Sequence, residues 1–241
     1  MNQGSRQSSS LSQRGNALFI ILIAVALLAA LSYAVTQSNR GGVGALSDEK
    51  AELYAAEILE YAQVVTNAVA QLRLRGCDET EISFENNIVT GYVNSNAPSD
   101  NTCHVFHPAG GGLSWNVPDD GMIDGVANAD NWAIYGSNEI ENIGTTGGND
   151  VNVDLTLFLE NIHNVICLNI NERLSVDNSS GVPPSDSGLD NNSFPGNFNH
   201  AEVIGDEDIA LQGQKSACYL DGGKTLIPAG QNVFYKVLIA R

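Results

Sequence analysis

Fifteen consecutive residues, Ala17 to Leu31 (ALFIILIAVALLAAL), carry no polar side chain, and no other feature limits the chain as sharply. Ser32 interrupts the run before Tyr33, Ala34 and Val35. A helix of about 20 apolar residues crosses a hydrocarbon core of about 30 Å, so residues 17–35 are just sufficient as a transmembrane helix. A helix buried in a water-soluble core would show a polar face, and this segment has none.

The charges on either side set the expected orientation. Arg6 and Arg14 precede the apolar run, Arg40 follows it, and no acid occurs before Asp48. Positive flanks stay in the cytoplasm, so the expectation is a single span with its N-terminus cytoplasmic and the body on the far side of the membrane. From Asp48 onward, 28 carboxylates face eight basic side chains, a balance of −20. That charge argues against nucleic acid as a partner, because phosphate backbones are held by clustered Lys and Arg. Four segments follow: a basic leader over 1–15, the membrane helix over 16–40, an amphipathic helix over 41–76 and an extracytoplasmic domain over 77–241.

Three processing fates fit the leader. Ser32-Tyr33-Ala34 places small residues where a signal peptidase reads them, with cleavage after Ala34. The span can also remain uncut as an anchor, or be cut after Gly15 in Gln13-Arg14-Gly15-Asn16-Ala17-Leu18. A short basic leader ending in Gly, followed directly by an apolar helix that runs into an amphipathic one, resembles the type IV pilins and type II secretion pseudopilins. The resemblance covers residues 1 to about 77. It implies that Gly15 is the last leader residue and Asn16 the first mature one, and that subunits associate through the N-terminal helix. The chain departs from the family at two positions: Asn16 stands where Phe or Met is usual, and Ile20 stands where a Glu is usual. Some minor subunits at filament tips similarly lack that Glu, so the departure argues against a major subunit and leaves a minor or tip subunit open.

Beyond the span, Gly41, Gly42 and Gly44 weaken any helix by about 1 kcal/mol each relative to Ala and predict a stop or a joint. Ser47 is placed to cap a second helix, with Asp48, Glu49 and Glu52 in its first turns, where carboxylates favour the helix dipole. Ala51, Ala55, Ile58, Ala62, Val65, Val69 and Leu72 recur at spacings of four and three, one narrow apolar seam, with Tyr54 and Tyr61 on its flank. Arg73, Arg75 and Gly76 suit its C-terminal end. Such a seam ordinarily packs on the protein's own sheet.

After Cys77 the texture changes to short strand-like runs broken by Gly, Asn, Asp and Pro. Strands are expected within 82–92, over 150–158, over 215–221 with a Gly222-Gly223 hairpin to 224–227, and over 232–240. A helix is expected from about Glu160, with Ile162, Ile166, Ile170 and Leu174 as its stripe. A helix first, then strands with one later helix, is an α+β order, here a mainly antiparallel sheet with long loops. Residues 175–200, of which 20 of 26 are Ser, Asp, Asn, Gly or Pro, and residues 108–130 are expected as exposed loops. Cys77, Cys103, Cys167 and Cys218 form an even set, as two disulfides in an exported protein would require. The layout favours Cys77 with Cys103 and Cys167 with Cys218. No pair has the spacing of a structural zinc site.

Motifs for chemistry are sparse. The two histidines of His104-Val105-Phe106-His107 lie on opposite faces if extended, so shared metal ligation there requires a turn, and two surface histidines are the expectation. Asp119, Asp120, Asp124 and Asp130 crowd one loop and make a weak calcium candidate, since a hard cation takes six to eight oxygens. Neither a hydrolase elbow nor a phosphate loop nor a dinucleotide fingerprint occurs, and the expectation is a protein without turnover. The leading expectation is a structural subunit of a cell-envelope filament or secretion system. The alternative is an anchored or secreted binding or adhesion protein that presents its acidic loops to a ligand.

Overall fold

The computed structural model describes residues 19–29, 46–147, 150–223 and 230–241. The chain divides into two units, 1–47 and 48–241. In the first, residues 19–29 are helical (α1). The remainder of the 17–35 span, the glycines at 41–44 and the processing residues Gly15 and Asn16 lie outside the described residues. Among the described residues, no helix is long and apolar enough to cross a membrane.

The second unit begins with α2 (Asp48–Leu74), followed by strands β1 (Trp132–Ile140) and β2 (Asp154–Ile162) and helix α3 (Asn164–Leu174). Strands β3 (Ser185–Asp186), β4 (Glu202–Ile204), β5 (Ser216–Asp221) and β6 (Asn232–Ile239) complete it. One six-stranded sheet runs in the order β3-β5-β6-β2-β1-β4. The pairs β1–β2, β2–β6 and β5–β6 are antiparallel, and the short edge strands β3 and β4 add in parallel. The unit is α+β with a mostly antiparallel sheet. Strand β6, central in that sheet, is apolar on both faces because both are covered.

On one face lie the helices. Ala51, Ala55, Ile58, Ala62, Val65, Val69 and Leu72 of α2 are all at most 1% exposed. The seam packs inside its own unit, where α2 contacts α3 and β6. Gly76, at φ +101°, closes the helix in the left-handed region that only glycine adopts without strain. The Cys77 N–H then reaches the Leu72 carbonyl at 3.1 Å. Disulfides join Cys77 to Cys103 and Cys167 to Cys218, the two pairs favoured by the chain layout. The first ties the end of α2 to the following segment, and the second ties α3 to β5.

Side chains alternate across a strand, so Ala217 and Tyr219 of β5 point away from Cys218 and the helices. With Tyr135, Phe158, Val233 and Tyr235 they form a second core under Val176, Leu189, Ile204 and Leu211. The segment expected as an exposed loop over 175–200 is therefore a cover for this face. Pro183, Pro184, Asp186, Leu189 and Phe194 are buried. Its polar residues satisfy one another and the sheet: the Asn138 amide donates to the Asp190 carbonyl at 2.7 Å, and the Asp190 N–H donates to the Asn138 side chain at 2.8 Å. At Gly136 a Cβ would sit 2.4 Å from the Phe194 ring, so β1 needs glycine there.

Other expectations are corrected. Residues 82–92 form no strand beyond a single bridge, Ser83 to His104; the Asn86 side chain accepts the N–H groups of Ile88 and Val89, turning the chain. Strand β2 lies four residues later than expected, with Val151 exposed, and α3 begins only at Asn164, after Ile162 has ended the strand. The antiparallel partner of β5 is β6, and residues 224–229 lie outside the described residues. Residues 108–130 lack regular strands but are not simply exposed, since Trp115, Met122 and Ile123 are buried.

Candidate functional site

Three kinds of feature in the described residues have functional potential: an apolar helix, open clefts and buried acids. Helix α1 presents only apolar side chains, and Phe19, Ile20, Ile21, Leu22, Ile23, Val25, Leu27 and Leu28 are 43–72% exposed. An exposed apolar surface of this length marks a contact with another protein or with lipid.

The aspartates of the calcium candidate are placed separately. Asp119 accepts the Tyr54 hydroxyl at 2.6 Å and the Gly121 N–H at 2.8 Å, which hold its carboxyl below the usual carboxylate range. It thereby fastens the 113–130 segment to α2. Asp120 accepts the Ala127 N–H. Asp124 engages Asn161 through its main chain only, and the Asp130 N–H donates to the Asn128 side chain. Among the described residues, no three His, Cys, Asp or Glu side chains are grouped so as to hold a metal ion as they stand.

Several clefts open on the surface of the second unit, and two of them combine carboxylates with aromatic side chains. One, of about 420 Å³, lies between α2 and residues 113–116, with Glu57 and Glu60 beside Tyr61, Val64, Leu113 and Trp115. Its floor is aromatic: Tyr61 packs on Trp132 at 4.7 Å and Trp115 on Tyr92 at 5.5 Å between ring centroids. Carboxylates over apolar walls suit a flat or cationic group. The other, of about 560 Å³, is lined by Glu85, Asn101, His104, Phe106 and His107. The turn that shared ligation requires is present, and both histidines face this one cleft.

Sequence reasoning missed the buried acids. Burial pushes Asp154 up to about 7, against the pull of the Ile140 and Arg241 N–H groups that donate to it. Burial likewise pushes Glu160 up to about 7, although the Tyr135 hydroxyl donates to it. Asp186 rises to about 6 for the same reason, with the Gly205 and Gly188 N–H groups opposing the shift. Perturbed carboxyls can mark catalytic sites. Here Asp154 and Asp186 are sealed in the interior and bound to backbone amides, which is the arrangement of a scaffold. Arg241 closes the same region. Its guanidinium pairs with Glu79 at 2.9 Å, lies 3.8 Å from the Phe198 ring centroid and donates to the Asp150 carbonyl.

Compared with family models, curated proteins and solved structures, the chain shows no match.

Proposed function

We propose that the chain is a pilin-like or pseudopilin-like structural subunit of a cell-envelope filament or secretion system, in a minor or tip position. In this reading α1 is part of the transmembrane helix, the N-terminus is cytoplasmic and the disulfide-bonded body lies in the periplasm or outside the cell. The observation that carries the proposal is the eleven-residue wholly apolar, wholly exposed surface of α1. The second unit is an acidic body whose own helix seam is already covered. The two disulfides suit an oxidising compartment, and the work is assembly and contact, without turnover.

A second reading, an anchored or secreted binding protein, draws on the cleft between α2 and residues 113–116. The N-terminal residue of the mature protein, determined by mass spectrometry of membrane and medium fractions, separates the two. Asn16 as first residue, in the membrane fraction, supports the filament subunit. Val35 in the medium overturns it in favour of a secreted binding protein, and intact Met1 overturns it in favour of a plain anchor.

A further inference from the structure

The cleft that holds both histidines is independent of the N-terminal unit and of the assembly reading. Its walls are fixed. Cys103, bonded to Cys77, immediately precedes His104, and Ser83 bridges to His104 in parallel with the Val105 N–H on the Ser83 carbonyl at 2.9 Å. The following turn carries the Gly110 N–H to the His107 carbonyl and the Gly111 N–H to the His104 carbonyl. A Cβ at Gly110 would lie 2.1 Å from the His104 carbonyl oxygen, so glycine is required for so tight a turn. That turn brings the His104 and His107 rings to 6.2 Å between centroids, at 70° to each other.

We propose that His104 and His107 bind one divalent first-row transition ion of the Zn²⁺ or Cu²⁺ type, with Glu85 as the carboxylate that completes the protein ligands and water filling the remaining positions. Imidazole nitrogens prefer such ions to calcium or magnesium. Two imidazoles bound at about 2 Å to one tetrahedral ion have centroids about 5 Å apart. The rings here must therefore close by about 1 Å, a small side-chain rotation into an open cleft. As they stand, the side chains do not form a finished three-ligand set; ion binding draws Glu85 in.

Glu85 lines the same cleft as both rings and supplies the negative charge that favours a divalent ion there. The His107 Nδ1 accepts the Ala109 N–H at 3.2 Å, which leaves Nε2 for the ion. Coordination there moves the ring proton to Nδ1 and releases the Ala109 N–H, which, on an exposed residue, turns to water. Asp100 already accepts the Thr102 N–H and hydroxyl and adds charge without a free geometry.

Isothermal titration of the intact protein with Zn²⁺ in chelator-free buffer tests the site. The expected result is one ion per chain, with affinity falling by about a hundredfold in His104→Gln and His107→Gln and by about tenfold in Glu85→Gln. His163→Gln should leave it unchanged, and acidification should weaken binding as the imidazoles take up protons. Because His104 is buried, circular dichroism must first show that its variant is folded; His107→Gln, at a half-exposed position, serves if it is not. Nuclear magnetic resonance should show Zn²⁺ shifting the His104 and His107 ring signals and leaving those of His163 and His200 in place. No saturable binding, or binding that survives loss of both histidines, would overturn the proposal.

Discussion

Helices α1 and α2 both carry many apolar residues, but they arrange them differently. In α2 the apolar positions alternate at four and three residues and the polar ones fill the rest, so one stripe faces the unit's interior and is covered there. In α1 every described position is apolar and every one is exposed. A stripe can be satisfied by the chain that carries it. A helix apolar all round needs surroundings that are apolar all round, which means lipid or other helices.

The first way to sharpen that contrast is to place the same charge in each helix. Val65→Asp in α2 buries an unpaired carboxylate in a closed core and should destabilise the body by about 5 kcal/mol, or unfold it. Val25→Asp in α1 should leave the body's urea unfolding midpoint unchanged. On the proposed reading of α1 as part of a membrane span, it should instead impair membrane insertion, at a cost of about 3 kcal/mol for a charge near the centre of a span. Equal destabilisation of the body by both would break the contrast.

The disulfides rank next, because they staple only the second unit. Closing a separation of 51 residues, Cys167–Cys218 should contribute about 4 kcal/mol; Cys77–Cys103, with a separation of 26 residues, should contribute about 3.5 kcal/mol. Replacing each pair with Ala and measuring denaturant unfolding checks both the size and the order.

A further effect comes from pH. Asp154 and Glu160 hold their protons to about 7 and Asp186 to about 6 in the folded state, whereas an unfolded carboxyl releases its proton near 4. Between those values the native state binds more protons than the unfolded one. The stability contributed by these groups is present below about pH 4 and is lost as pH rises through about 6 to 7. Thermal melts should therefore show a higher midpoint at pH 5 than at pH 8, and Asp154→Asn should flatten the dependence. Smallest of all, Tyr54→Phe removes the hydroxyl that holds Asp119 and should cost about 1 kcal/mol in urea unfolding.

The contrast between stripe and uniform helix was legible in the sequence because both are local patterns. The same holds for β5 and β6, whose short apolar runs sit between turn residues. Strand β1 was not legible: no strand was expected over 132–140, because Gly136, Ser137, Asn138 and Glu139 carry no apolar alternation, yet all four are buried. Asn138 is satisfied by Asp190 from 52 residues away, and Glu139 accepts the Gly147 N–H. Long-range partners of that kind leave no periodicity to detect. The opposite error at 82–92 has a local cause, since the Asn86 side chain competes with the ladder for backbone N–H groups. The histidine pair was visible as a motif, but only the folded turn showed that both rings face one cleft. The aspartates at 119, 120, 124 and 130 looked like a cluster in sequence, but Asp119 is held by Tyr54 of α2 and Asp124 meets Asn161 only through its main chain.

The account rests on a division of labour: residues 48–241 fold by themselves, and the apolar helix serves association. The most direct test expresses residues 46–241 alone beside the full chain and measures folding, disulfide content and partition between membrane and soluble fractions. The account predicts a folded, soluble monomer with both disulfides for the shorter protein, and membrane association that requires the N-terminal unit. An unfolded or aggregated body, or a full chain recovered wholly in the soluble fraction, would contradict it.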